Sequence, residues 1–510
     1  MGGGARGTTV SIRGEGLTLE QLVAVARDRN PVLLDDEGRR KLRAARAALE
    51  SITLRGAQAI YGVNTGFGRL ASQRISEADT LRLQANLVAS HEAGVGPALP
   101  EEVVRGALLV RANTLTKGHS GVRPEVVDGL LALLNADVHP VVPRYGSLGA
   151  SGDLAPLAHV ASVLLGNGKA VVGGRIVGGA EALRAAGVAP LQLASKEGLA
   201  LVNGTPFMTA VAGLAASDAR HLLRAADVVG ALTLTALGGS IEPFAEEIHA
   251  ARGHAGQKAS AANLRRLLPS LEASDRVQDA YSLRCIPQIH GAIRDAVAHA
   301  VGVLNIEMNS ATDNPLVFPD HGMVLSGGNF HGEPVALAAD YATLALAELG
   351  VLSERRTNRL LHPDLNAGLP PFLACRPGLE SGLMLTQYTA AALVARSRLL
   401  AHPASTGSIP VSGDQEDHVS LGLHAALDLR EVVNLAWSVL GVELLCAAEA
   451  MEHVQRSVPA AMAAVHRAAR KRVPPLAGDE PPGERIEAMA ELLRSGDVTA
   501  AVMPFAGELA

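Results

Sequence analysis

Several short stretches of the chain set reactive side chains beside glycine. Gly149-Ala-Ser-Gly-Asp153 places Ser151 between two small residues, after the rigid Pro143 segment and before an apolar helix predicted to begin near Asp153. Pro156 is tolerated in the first turn of such a helix. A helix start favours developing negative charge through its free N–H groups and dipole; the ordinary alternative is a glycine loop that caps a helix. Tyr61 opens a second glycine-punctuated loop, Tyr61-Gly-Val-Asn-Thr-Gly-Phe-Gly68. A phenol acts as a base only if positive ends or hydrogen bonds pull its pKa down, and otherwise it is structural. Asn203 precedes Gly204 and reads by itself as a polar turn residue. Arg284, closing Gln278-Asp-Ala-Tyr-Ser-Leu-Arg284, carries a fork suited to a carboxylate, or to an ion pair on a helix surface. Glu416, in Asp414-Gln-Glu-Asp-His418, is by itself a first-turn helix acid.

These residues need a scaffold, and composition limits its kind. Hydrophobic residues make up 48% and charged residues 19%, a globular balance that excludes a disordered chain. Aromatic residues are only 3%, so the core is aliphatic and alanine-rich, which favours closely packed helices and argues against base-stacking platforms. Lys+Arg 45 against Asp+Glu 51 leaves a net charge of -6, which argues against nucleic acid as a partner. The 510 residues give room for about three domains. The divisions expected are 1–200, a mixed helix and loop domain carrying the Ser151 loop; 201–473, a long-helix bundle; and 474–510, a loop and one short helix.

Helical periodicity predicts helices over 39–54, 334–361, 382–400 and 418–454, and a small hairpin between 168 and 179. The last of these helices would be 37 residues, about 55 Å long. The most apolar internal stretch, 225–241, is broken by Gly230, Gly238 and Gly239 and falls short of a membrane span. No apolar run opens the chain, and Cys285, Cys375 and Cys446 lie far apart with no paired framework. The expectation is a soluble cytoplasmic protein with reduced, buried thiols and no membrane partner. The mainly α fold class follows, with a long central helix bundle that buries one side against another subunit.

Generic site chemistries fit poorly. No His-Glu-x-x-His occurs and the 17 histidines show no ligand spacing, so no metal is expected. No phosphate loop or dinucleotide fingerprint is present. Gly407-Ser-Ile-Pro-Val-Ser-Gly-Asp414 lacks the lysine that marks the serine loop of the fumarase and aspartase group.

The wider string Gly146-Ser-Leu-Gly-Ala-Ser-Gly-Asp-Leu-Ala-Pro-Leu-Ala-His159 resembles the signature of the ammonia-lyases and aminomutases that carry the MIO group, 4-methylidene-imidazol-5-one. The resemblance extends from Tyr61 to about Val473 in five blocks in family order. It implies an ammonia-lyase fold and an electrophile formed autocatalytically from Ala150-Ser151-Gly152, with no metal or external cofactor. The Gly152 nitrogen must then reach the Ala150 carbonyl carbon, which a side-chain-free turn allows, and Ser151 supplies the methylene. By the same resemblance Tyr61 is the base for the β-proton, Asn203 lies near the MIO and Arg284 pairs with the substrate carboxylate. Tyr281 and Gln278 are its companions, and Phe330, in Ser326-Gly-Gly-Asn-Phe-His-Gly332, packs at the MIO. Thr312-Asp-Asn-Pro315 also matches and is read as a helix stop. The family implies homotetramers whose sites are shared between subunits.

Ser90-His91 resembles the pair of histidine ammonia-lyases, where a histidine can hydrogen-bond an imidazole, although some tyrosine aminomutases share it. The Gln415-Glu-Asp417 order also resembles the histidine enzymes and sets Glu416 against an imidazole. Ile286, His290 and Leu148 depart from that pattern, and Ile286-Pro-Gln and Gly146-Ser-Leu-Gly149 resemble 2,3-aminomutases. The expected reaction is L-histidine to urocanate and ammonia, with a histidine 2,3-aminomutase as alternative, a tyrosine-acting enzyme more distant, and an inactive helical scaffold from another class.

Overall fold

The computed structural model describes residues 7–54, 59–271, 274 and 276–510. It is mainly helical, as the composition predicts, and divides into two compact units. One comprises Met1–Ser217, Ala300–Asp340 and Pro403–Leu427; the other comprises Asp218–His299, Tyr341–His402 and Asp428–Ala510. These bounds differ from those drawn at 200 and 473, because four of the five divisions fall inside long helices. Those are Pro206–Ala236, Ile286–Glu307, Glu333–Leu361 and Gly422–Met451.

The first unit is built around the helix Glu101–Thr116, buried from Val103 onward. Thr80–His91, Leu154–Leu164 and Glu197–Val202 pack on one another, and Leu19–Ala26 and Pro124–Asn135 pack on Glu101–Thr116. Its strands are short. Val10–Ile12 pairs parallel with Val32–Leu34, and Lys169–Val172 pairs antiparallel with Arg175–Gly178 in the register Val172↔Arg175. That hairpin turns on Gly173 and Gly174, at φ +55° and +77°, the left-handed pair that a two-residue turn demands.

In the second unit the helices Ala255–Leu267, Met384–Leu400 and Ala460–Arg472 join the N-terminal part of Ile286–Glu307 and the C-terminal parts of the other three long ones. Gly230 sits inside its helix rather than ending it: a Cβ there would lie 3.1 Å from Ile286 Cδ1, so the glycine permits close helix packing. The helix ends instead near Gly238, at φ +61°. A buried ion pair organises the bundle. Glu443 accepts from Arg356 Nε and Nη2 at 2.6 and 2.8 Å, from Ser353 Oγ at 2.6 Å and from Thr233 Oγ1 at 2.7 Å. Both partners are fully buried, and the carboxylate is amply hydrogen-bonded.

Several expectations change. The helix expected over 418–454 is Gly422–Met451, 30 residues. It starts late because the Leu421 N–H donates to Leu148 O at 2.9 Å, with Leu421 at φ +53°. The C-terminal segment holds two helices, Gly483–Arg494 and Asp497–Ala506. The most apolar helices are not 225–241. Glu333–Leu361 and Gly422–Met451 are long and apolar enough to cross a membrane by length and composition, yet 72% and 78% of their most apolar windows are buried in protein. Cys375 is exposed, Cys285 half-buried and Cys446 buried, so the thiols are free but not uniformly internal.

Removing Glu443 strands the Arg356 charge in the bundle. Glu443→Ala is expected to cost about 3–5 kcal/mol in urea unfolding; a cost below about 1 kcal/mol would contradict that role for the pair.

Candidate active site

The Ser151 triplet folds back on itself. Gly149 and Ala150 each pair with Gly152, and Gly152 pairs with Gly204 of the loop before the Pro206–Ala236 helix. Gly152 is at φ +76°, and a Cβ there would run into the Gly204 carbonyl oxygen, so only glycine fits. The Gly204 N–H and Asn203 Nδ2 both donate to Ser151 O, at 3.2 and 2.9 Å. Arg111, wholly buried and pushed down to about 10 by that burial, donates from Nη2 to Asn203 O at 2.9 Å. The Oδ1 of Asn203 is buried and has no donor, an acceptor waiting for one.

Asp153 does not cap the helix that follows it. Its carboxylate accepts the N–H groups of Phe207 and Met208 at 2.8 and 3.0 Å and Ser147 Oγ at 3.3 Å. Its own N–H donates to Gly204 O at 2.6 Å. Asp153 therefore serves the start of the Pro206–Ala236 helix and locks both loops together. Burial pushes its carboxyl up to about 7, against the pull of those hydrogen bonds.

Tyr61, His91, Ala150, Ser151, Asn203 and Phe330 line one cavity of about 610 Å³, joined by Glu416. Gly152 is buried beneath it. Tyr61 OH accepts the Gly68 N–H at 3.0 Å, and Phe67 meets its ring edge-on at 6.2 Å. Gln84, unremarkable in sequence, ties that loop down: its Nε2 donates to Gly62 O at 3.0 Å, while its Oε1 accepts from Gly198 N and Leu199 N at 2.9 and 3.2 Å. The Tyr61 phenol is held above its ordinary pKa by burial, with the Gly68 N–H opposing and Glu416 adding to the rise. The lowering that a base role requires is therefore not supplied by the described residues around Tyr61. His91 is held low by burial, against Leu87 O and Glu416. Since Leu87 O only accepts, at 2.9 Å from Nδ1, the proton lies on Nδ1 and the Nε2 lone pair is free. Ser151 Oγ donates to Glu416 Oε1 at 3.1 Å.

The other three expected residues lie apart. Gln278 and Arg284 line a second cavity, about 310 Å³, within the other unit. Tyr281 is 70% exposed, with the Arg284 guanidinium 4.8 Å from its ring centre. Among the described residues the first cavity has Glu416, Asp417 and three histidines in its wall but no lysine or arginine. Ile286 and His290 are fully buried in the second unit. His290 Nδ1 sits 2.7 Å from Asp227, so these two departures occupy core positions.

Sequence reading missed other features. The 312–315 turn does more than stop a helix, since buried Lys196 donates to Asp313 at 2.7 Å and Asn314 Oδ1 accepts from Gly327 N at 2.7 Å, holding the Phe330 loop. His331, Glu333 and His418 bring ligand atoms within 4.8 Å of one another, a donor set that could hold a metal and that their sequence separation conceals.

Asp153 gives a pH prediction. The folded carboxyl keeps its proton to about pH 7, whereas the unfolded one releases it near 3.8. The folded state then binds more protons between those values, so this group lowers stability as pH rises through the window. Urea unfolding of wild type and Asp153→Asn between pH 5 and 8 is expected to show a shallower decline in the variant. Parallel curves would contradict the assignment.

The family model described as aromatic amino acid lyase matches residues 17–472. A histidine ammonia-lyase of Symbiobacterium thermophilum is 51% identical over 503 residues, covering 97% of this chain and 99% of that protein. One of Sorangium cellulosum is 49% identical, covering 97% and 99%. Among solved structures, tyrosine aminomutase from Streptomyces globisporus superposes with a TM-score of 0.93 at 41% identity, covering 99% of this chain and 100% of that one. Histidine ammonia-lyase from Trypanosoma cruzi follows with a TM-score of 0.90 at 39%, covering 98% and 95%. With a family match over most of its length and relatives half identical from end to end, the chain belongs to the aromatic amino acid lyase family.

Proposed function

We propose that the enzyme, a carbon–nitrogen lyase, eliminates ammonia from L-histidine to give trans-urocanate. The observation that carries this reading is the placement of Glu416 and His91 in the wall of the cavity that contains Ser151, in a chain 51% identical to a histidine ammonia-lyase. Tyrosine aminomutase and histidine ammonia-lyase superpose almost equally well, so the fold does not separate the two chemistries. Ile286, one of the two sequence features reminiscent of a mutase, is buried in the second unit, as is His290.

The residues fit an MIO group at 150–152: the turn closes on itself, Gly152 has no room for a Cβ, and the Asn203 acceptor is unpaired. Formed there from Ala150, Ser151 and Gly152, the group would supply the electrophile that makes the substrate amine a better leaving group. Asn203 Oδ1 accepts from that amine. His91 Nε2 accepts from one imidazole N–H, while Glu416 faces the other nitrogen and favours its protonated form. Phe330 closes the cavity against water. Tyr61 removes the β-proton, and because this chain alone holds its phenol high, it needs a positive neighbour. Arg284 of a second copy supplies that charge and binds the substrate carboxylate, accompanied by Tyr281 and Gln278. The assembly is a homotetramer with shared sites. Exposed Leu337, Tyr341 and Leu344, one helical stripe, are suited to such contacts. A cytoplasmic location agrees with three free cysteines.

Incubation with L-histidine is expected to yield urocanate and ammonia in equal amounts without β-histidine. Dominant β-histidine would replace the lyase reading with the 2,3-aminomutase. Tyr61→Phe is expected to lower kcat by roughly 100-fold or more with KM little changed. An unchanged kcat would remove Tyr61 from the proton transfer.

A further inference from the structure

In the uncyclised chain, Glu416 touches an atom that the mature site no longer contains. Ser151 Oγ donates to Glu416 Oε1 at 3.1 Å, and among the described residues Glu416 is the side chain that hydrogen-bonds this hydroxyl. The contact is held from both sides. Val419 and Leu421 pack on Ala150, with Leu148 and Val411 against them. The Leu421 N–H donates to Leu148 O at 2.9 Å and Ser420 Oγ to Gly149 O at 3.3 Å, while Val411 and Glu416 pair across their own turn. The loop carrying the carboxylate is thus fastened to the loop carrying the serine.

Resting on the reading that residues 150–152 cyclise, we propose that Glu416 is also the proton-transfer group for expulsion of the Ser151 hydroxyl during maturation, before it serves the substrate. Ring closure forms a bond from the Gly152 nitrogen to the Ala150 carbonyl carbon. The Ala150 oxygen leaves as the first water with the amide protons of Gly152 and Ser151. The second water is made of Ser151 Oγ, the proton it already carries and the Ser151 Cα proton. The Cα–H electron pair becomes the Cα=Cβ bond, and the Cβ–Oγ pair departs with the oxygen. Glu416 takes up one proton and returns one to Oγ, so it ends unchanged and needs no further reactant. Asp153, the nearby acid in sequence, is already engaged by Phe207, Met208 and Ser147. Once Oγ has left, the carboxylate is freed to face the cavity it lines.

The test is the mass of the peptide containing Gly149–Asp153, followed over time after cell-free synthesis of the full chain. The variants are Glu416→Gln and, as a control in the same cavity, His91→Ala. Wild type and His91→Ala are expected to lose two waters together. Glu416→Gln is expected to lose the second water roughly 100-fold more slowly, accumulating a peptide short of one water only. Loss of both waters by Glu416→Gln at the wild-type rate overturns the proposal. If Glu416→Gln does not reach wild-type helicity by circular dichroism, Glu416→Asp decides: slowed second loss supports the role, and an unslowed one overturns it. A wild-type peptide that keeps both waters overturns the cyclisation reading itself, a distinguishable result.

Discussion

The site depends on one close approach, the backbone of Gly152 against the carbonyl of Gly204. Asp153 enforces it by holding the first N–H groups of the Pro206–Ala236 helix with its carboxylate while its own N–H donates to Gly204 O. The turn is thereby tied to the start of a helix of 31 residues. Arg111 from below and Asn203 from the side fix the same short segment. Rigid elements thus bring a serine-bearing loop back on itself.

Charge explains why the site is read as incomplete in one chain. Its wall offers acids, histidines and a phenol whose ionisation is opposed by burial and by Glu416. Among the described residues that line it, an amino acid entering there would find no fixed cation for its carboxylate, while Arg284 stands in the other unit with its guanidinium stacked on an exposed tyrosine. In the tetramer proposed above, exchange of these residues between subunits would satisfy both halves at once, because a positive group near Tyr61 would both bind the substrate and ease removal of the phenol proton.

Much of this was legible in the sequence, and the reasons for what was not are physical. The long helices Glu333–Leu361 and Gly422–Met451 declared themselves through alanine-rich periodicity, whereas Pro206–Ala236 and Ile286–Glu307 did not, and the reactive loops showed through glycines that tight turns require. Helix ends were less clear where a distant partner sets them, as when Leu148 O captures the N–H of Leu421. Gln84, Lys196 and Asp313 do their work across separations of 22 to 117 residues, which no local pattern encodes. The direction of the Tyr61 pKa depends on burial, which a motif does not record. His290 looked like a functional departure and is a buried histidine bonded to Asp227.

The central claim is that Ser151, held in this turn, becomes the electrophile on which turnover depends. The most direct measurement is the rate of urocanate formation by Ser151→Ala, with folding verified by circular dichroism. The substitution removes one oxygen from a half-buried position and leaves the turn's glycines in place. The account predicts a folded protein whose kcat falls at least about 1,000-fold, the scale on which loss of a covalent catalyst is felt. Full turnover by that variant would contradict it.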